Sequence, residues 1–148
     1  MISMPDRFGY PDLDGKSVLI VDDHQDSLEF LQQLLQFCGA EVWTAWSTAH
    51  ARGHLQSRLP SLIVCDFQMP RESGVQFMRW LREQRGERGS IPAIAITAYS
   101  AEFHREHDHS LAFDAVFVKP LDVPRFLRTV DAIVTRPRVS TSHQLRRA

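Results

Sequence analysis

Short apolar runs alternate with longer segments of helical period along most of the chain. Five of these runs predict β-strands, at residues 17–22, 41–46, 61–66, 91–97 and 115–119. The first, third and fourth runs are apolar almost throughout, which is typical of strands covered by helices on both faces. The second run, EVWTAW, alternates between apolar and polar residues and therefore favours an edge of the sheet.

The segments between and after the strands predict helices. Their approximate ranges are 26–39, 48–58, 73–86, 101–111 and 123–135. In the first helix one stripe of the surface is apolar, Asp26 and Glu29 resemble a capping box at the start, and Gly39 closes the segment. Strands that alternate with helices predict five βα units around a parallel sheet, an α/β fold.

Length and composition fit one domain. The chain has 148 residues, of which 43% are hydrophobic and 24% charged, as in an ordinary globular protein. We predict a folded unit at 16–135, with an N-terminal arm at 1–15 and a basic, flexible tail at 136–148. Cys38 and Cys65 lie in apolar stretches and no apolar run approaches the roughly 18 residues of a membrane span, so a cytoplasmic location is expected.

Charge argues against a nucleic-acid or membrane partner. The formal net charge is −1, and the tail holds four arginines and no acidic residue, which leaves the predicted folded unit acidic. An acidic unit has no basic field to attract phosphate backbones or anionic lipids. We therefore expect no direct contact of this chain with nucleic acid or membrane.

Polar residues stand at the ends of four predicted strands. They are Asp22, Asp23, Asp66, Thr97 and Lys119, the last followed by Pro120. The carboxyl ends of parallel strands lie at one edge of the sheet, so these side chains should converge. Three carboxylates repel one another unless a cation such as Mg²⁺ neutralises them. One carboxylate then remains free to attack a phosphoryl group, whose oxygens a hydroxyl and an ammonium group can contact.

Four segments carrying these residues resemble the receiver (CheY-like) domain of two-component response regulators. They are VLIVDDHQDS at 18–27, IVCDFQMPRESG at 63–74, AIAITAYS at 93–100 and FDAVFVKPLD at 113–122. The resemblance spans about 16–135, and Gly74 follows Asp66 by the family's spacing. It implies a doubly wound, flavodoxin-like sheet with strand order 2-1-3-4-5.

The resemblance also implies a role for each acidic residue. Asp66 is the expected phosphoacceptor. Asp23 would ligate Mg²⁺ together with Asp66 and the backbone carbonyl of Gln68, while Asp22 would act chiefly through a metal-bound water.

The remaining site residues follow from the same resemblance. Thr97 and Lys119 would contact the phosphoryl group, and the bond before Pro120 is a candidate for the cis isomer. The family usually has Tyr or Phe where this chain has Val116, and a valine has one stiff χ1 torsion with little surface to rearrange. We therefore expect the signal to pass through Thr97 and the loop after it, with Tyr99 as the relay candidate.

The function implied is a phosphorylation-controlled switch in a two-component phosphorelay. A histidine kinase or histidine phosphotransfer protein would supply the phosphoryl group, and slow self-catalysed hydrolysis would reset the state, so the chain is not expected to be an enzyme in the ordinary sense. Output would be a contact with a downstream protein, through the predicted helices at 101–111 and 123–135 and the fifth strand. A homodimer linked to phosphorylation stays open.

Other interpretations of the sequence are weighed beside this one. The first alternative is that the chain is the N-terminal receiver of a longer response regulator with a DNA-binding or enzymatic output domain. A haloacid dehalogenase-type phosphatase would carry its nucleophile in a D-x-D pattern after the first strand, and a flavodoxin would have a Ser/Thr/Gly-rich phosphate loop there; both patterns are missing.

Histidines raise a separate question about metals. His104, His107 and Asp108 fall on one face of a predicted helix, which leaves open a surface zinc or nickel site. His24 is interpreted as a loop residue that lies near enough to the Mg²⁺ site to tune access to it.

Overall fold

A computed structural model describes residues 9–98 and 113–136. Its strands are β1 (Ser17–Val21), β2 (Glu41–Ala45), β3 (Leu62–Asp66), β4 (Ala93–Thr97) and β5 (Ala115–Val118). They form one parallel sheet in the order β2-β1-β3-β4-β5, so the predicted α/β fold and strand order are confirmed. Edge strand β2 is the one whose sequence alternates, and β3 and β4 in the middle are buried throughout.

The described helices cover the sheet. They are α1 (Gln25–Phe37), α2 (Thr48–Ser57), α3 (Gly74–Arg82) and α4 (Val123–Thr135), with a 3₁₀ helix at Gly86–Ser90. The helix predicted at 101–111, the relay candidate Tyr99 and the cluster around His104 lie outside the described residues. Within the described ranges no helix is long and apolar enough to cross a membrane.

Alternate strand residues divide the core into two layers. On one face of the sheet, Val21, Cys65 and Ala95 pack with Leu55 of α2 and Phe77 of α3. These side chains are almost wholly removed from water. Burial of one Leu or Phe side chain contributes roughly 1.5–3 kcal/mol, which makes this layer a main source of stability.

The opposite layer lies beneath the other two helices. Ile20, Val64 and Ile96 pack there with Leu35 of α1 and Phe126 of α4. With helices on both faces the sheet is doubly wound. Residues at its carboxyl edge are therefore held from both sides.

Two predicted helix ends are wrong. Helix α3 ends at Arg82 rather than near residue 86, because Gly86 adopts φ +72° and the guanidinium of Arg82 donates to the carbonyls of Gly89 (3.1 Å) and Ile91 (2.6 Å). These bonds fold the following segment into the 3₁₀ helix that leads to β4. Helix α1 begins at Gln25, so Asp26 lies in the first turn and is not the N-cap; that position is His24, whose side chain makes no cap hydrogen bond.

Residues 9–15, which the sequence assigns to the N-terminal arm, pack against the folded domain. Leu13 is fully buried, and its N–H donates to the carbonyl of Cys38 (2.8 Å). Tyr10 meets the ring of Phe37 edge-on at 5.1 Å. This part of the chain therefore covers the C-terminal end of α1.

Candidate functional site

Three carboxylates meet at the carboxyl edge of the sheet. Strands β1 and β3 are neighbours with Val21 opposite Cys65, so the residues that end them lie side by side. Asp22 and Asp66 are buried, at 3% and 6% exposure, and the Asp23 side chain is 26% exposed. The sheet topology thus creates one acidic pocket from residues 44 positions apart.

The surroundings of Asp66 disfavour its ionised form. The pKa of Asp66 is raised to about 6, first by burial and then by the nearby Asp22, against the opposite effects of Lys119 and of a hydrogen bond from the Gln68 N–H at 3.3 Å. Because burial and like charge both oppose its ionised form, a cation bound beside it would be stabilising.

Lys119 and Thr97 complete the edge. Lys119 Nζ lies 3.9 Å from Asp22 Oδ2, and Thr97 is fully buried at the end of β4. The Lys119 N–H donates to the Thr97 carbonyl at 2.8 Å, which joins the ends of β4 and β5. The Lys119–Pro120 peptide bond is cis. The end of β4, which carries Thr97, and the ammonium group of Lys119 therefore lie at the same edge of the sheet as the three carboxylates.

The donor set fits a divalent cation. Ligand atoms of Asp22, Asp23, His24 and Asp66 all lie within 4.8 Å of one another. Asp23 Oδ1 is buried and has no hydrogen-bond partner. A buried carboxylate oxygen without a partner is costly unless an ion or water satisfies it. Oxygen-rich donors of this kind suit Mg²⁺.

The loop after β3 is closed by Gly74. A Cβ at this position would collide with the carbonyl oxygen of Asp66 and would lie 3.1 Å from Cys65 Sγ. The Gly74 N–H donates to the Phe67 carbonyl at 2.9 Å, and α3 begins there, with Ser73 and Gln76 forming a capping box. Glycine is thus required by close packing against the residue that carries the carboxylate.

One side-chain link near the site has no signal in the sequence. Arg52 of α2 donates to Glu72 Oε2 in the loop after β3 at 2.7 Å, and its guanidinium lies 4.6 Å from the centre of the Trp80 ring. The partners come from separate elements that only the tertiary fold brings together. The link holds the loop against α2.

His24 also lies closer to the site than the sequence could specify. Its Nδ1 is 3.2 Å from Asp22 Oδ1 and 3.3 Å from Asp23 Oδ1. Its position after the acidic pair was the available signal. The direction of the ring depends on the backbone turn into α1.

Val116 and Phe117 take opposite faces of the sheet, as strand alternation predicts. Val116 packs partly buried against the layer beneath α2 and α3, while Phe117 lies in the other layer, with its ring 5.6 Å from that of Phe126. The position three residues before Lys119 therefore carries no aromatic ring.

The family model for the response regulator receiver domain matches residues 18–131. The chain belongs to this family. The receiver domain is a part of two-component signalling, and its homologues act as signalling switches that interact with histidine kinases or phosphotransfer proteins.

Individual relatives agree with the assignment. The polar-differentiation response regulator DivK of Brucella ovis is 32% identical over 115 residues, which cover 78% of this chain and 93% of DivK. Response regulator TrrA of Thermotoga maritima, solved in complex with Mg²⁺-BeF, is 29% identical with a TM-score of 0.70, covering 80% of this chain and 98% of TrrA. A Francisella receiver domain, 20% identical with a TM-score of 0.73 over 82% of this chain and 98% of its own, shares the fold.

Proposed function

We propose that this receiver domain accepts a phosphoryl group on Asp66 in the presence of Mg²⁺. The donor is a histidine kinase or a histidine phosphotransfer protein. The observation that carries the proposal is the environment of Asp66: a buried carboxylate at a strand end, destabilised in its charged form, beside two further carboxylates and within the same edge as an ammonium and a hydroxyl group.

The transfer is a displacement at phosphorus. A carboxylate oxygen of Asp66 forms the new O–P bond while the P–N bond to the donor histidine breaks, and the electron pair stays on the departing imidazole. Hydrolysis later breaks the acyl phosphate and returns the carboxylate and inorganic phosphate. Phosphorylation thereby replaces one buried negative charge with a larger, doubly charged group.

The chain's own residues give each part of this group a partner. Lys119, whose Nζ lies 3.9 Å from Asp22 Oδ2, would contact a phosphoryl oxygen, and the Thr97 hydroxyl would donate to another. Asp23, Asp66 and the Gln68 carbonyl would hold Mg²⁺, whose positive charge would offset the negative charge of the phosphoryl oxygens. Asp22, already an acceptor for the His24 N–H at 2.9 Å, would act chiefly through water.

The proposed route of the signal takes account of Val116, which stands where the family usually has Tyr or Phe. Since this position carries no aromatic ring to rotate, the phosphoryl group is read through Thr97 and the loop that follows it, with Tyr99 as relay. The output is a contact with a downstream protein or a second copy of the chain, in the cytoplasm.

The proposal is tested with a small phosphodonor. Purified protein is incubated with acetyl phosphate, with Mg²⁺ or with EDTA, and intact mass spectrometry measures the added phosphoryl mass. We expect uptake by the wild-type protein in Mg²⁺ only. Asp66→Asn should take up none, while the exposed control Asp14→Asn should match the wild type. Undiminished labelling of the Asp66→Asn variant would disprove the assignment of the phosphoacceptor.

A further inference from the structure

His24 directs a ring nitrogen into the acidic pocket. The residue is the N-cap of α1, in an extended conformation, and its N–H donates to Asp22 Oδ1 at 2.9 Å. Although 64% of the side chain is exposed, Nδ1 lies 3.2 Å from Asp22 Oδ1, 3.3 Å from Asp23 Oδ1 and 3.9 Å from Asp66 Oδ2. A single nitrogen thus stands beside all three carboxylates.

These separations match those between ligands of one ion. Metal–ligand bonds of about 2.0–2.2 Å place neighbouring ligand atoms about 3 Å apart in an octahedral site and about 3.4 Å apart in a tetrahedral one. The distances from His24 Nδ1 to the oxygens of Asp22 and Asp23 fall in that interval. Only small movements would bring the nitrogen and the oxygens onto a common ion, and Asp23 Oδ1 has no hydrogen bond to give up.

We propose that His24 is a metal ligand through Nδ1 and that it gives the pocket a preference for a borderline divalent transition ion, represented by Zn²⁺. The inference rests on the metal site of the proposed function and specifies its selectivity. Mg²⁺ is bound by carboxylates and retains waters, so it gains little from an imidazole. Zn²⁺ takes imidazole and carboxylate readily. The nitrogen therefore changes the ratio of the two affinities.

That ratio is the quantity to measure. Zn²⁺ and Mg²⁺ are titrated separately by calorimetry into the full chain, wild type and His24→Asn. Removing a group that is only hydrogen-bonded to a metal ligand typically weakens metal binding about 10–100-fold. Removing a ligand itself should weaken metal binding at least as much. We expect the Zn²⁺ dissociation constant of His24→Asn to rise at least about tenfold relative to its Mg²⁺ dissociation constant.

A second measurement identifies the nitrogen. In ¹⁵N NMR spectra of the histidine rings, Zn²⁺ should shift the Nδ1 resonance of one histidine in the wild type, and this signal should be missing from His24→Asn. Amide spectra of the metal-free variant check that it is folded. Asp23→Asn removes the negative charge of an oxygen ligand and should weaken the binding of both ions. It therefore shows what a loss of affinity without a change in the ratio looks like.

The matched control addresses the other histidines of the sequence. The double variant His104→Asn/His107→Asn should keep the wild-type ratio. If it loses Zn²⁺ binding while His24→Asn retains it, or if the ratio is the same in His24→Asn and the wild type, the inference is overturned. Failure of the wild type to take up a phosphoryl group would refute the proposed function instead, and the Zn²⁺ titrations would still decide the role of His24.

Discussion

Replacing Asp66 by Asn should stabilise the metal-free protein at neutral pH. The pKa of Asp66 is about 6 in the folded protein against 3.8 for an ordinary aspartate, chiefly because of burial and then because of Asp22. Above pH 6 the folded wild type therefore carries a charge that its surroundings oppose. Asn has nearly the same shape, still offers an oxygen to the Gln68 N–H, and carries no charge.

The size and the sign of the effect follow from linkage. The difference between a pKa of about 6 and one of 3.8 corresponds to about 3 kcal/mol of unfolding free energy. This destabilisation of the folded wild type is complete above pH 6. It decreases as the pH falls, because the folded protein binds the proton before the unfolded protein does, and it vanishes below pH 3.8. At pH 7.5 the Asn variant should be more stable by about 3 kcal/mol, or roughly 6–12 °C in Tm, and at pH 4.5 by about 1 kcal/mol.

Urea denaturation in EDTA at the two pH values, followed by tryptophan fluorescence, measures these differences. The exposed control Asp14→Asn should change stability by less than about 0.5 kcal/mol at either pH. Equal stability of Asp66→Asn and wild type at pH 7.5, or an advantage that does not shrink at pH 4.5, would refute the view that the Asp66 charge is held at a cost.

Three further results are expected. Millimolar Mg²⁺ should raise the Tm of the wild type, as scanning calorimetry with and without Mg²⁺ can measure. Asp23→Asn should diminish this shift more than Asp22→Asn, because the buried oxygen without a hydrogen-bond partner belongs to Asp23. Gly74→Ala should cost about 1–3 kcal/mol in urea denaturation, since its Cβ would strike the backbone carbonyl that ends β3, and an unchanged midpoint would contradict that contact. Tyr99→Ala should impair phosphorylation-dependent partner binding or self-association more than Val116→Ala, with similar phosphoryl uptake; the reverse order would point to a route through β5.

The sheet and the positions of its polar ends were predictable because each depends on a local pattern. A run such as LIVCD, apolar up to its last residue, indicates both a buried strand and the edge at which Asp66 emerges. Parallel topology then brings Asp22 and Asp66 together without any knowledge of side-chain geometry.

Features that depend on tertiary contacts were not predictable in this way. The end of α3 is set by hydrogen bonds from Arg82 to carbonyls seven and nine residues later. Trp46, which follows the edge strand β2, is 62% exposed, and its ring lies 3.8 Å from that of His50 at an angle of 44°. The orientation of His24 Nδ1 is likewise a property of the turn and not of the residue type.

The number of residues in the segment from Phe67 to Gly74 is constrained by the structure. Its two ends are joined by the hydrogen bond from the Gly74 N–H to the Phe67 carbonyl, and the glycine rests on the carbonyl of Asp66 itself. Adding or deleting one residue would break this ring and rotate the start of α3 away from the sheet. We therefore expect an insertion or deletion in this segment to displace the carboxylate of Asp66 together with the start of α3, because both ends of the segment adjoin that residue.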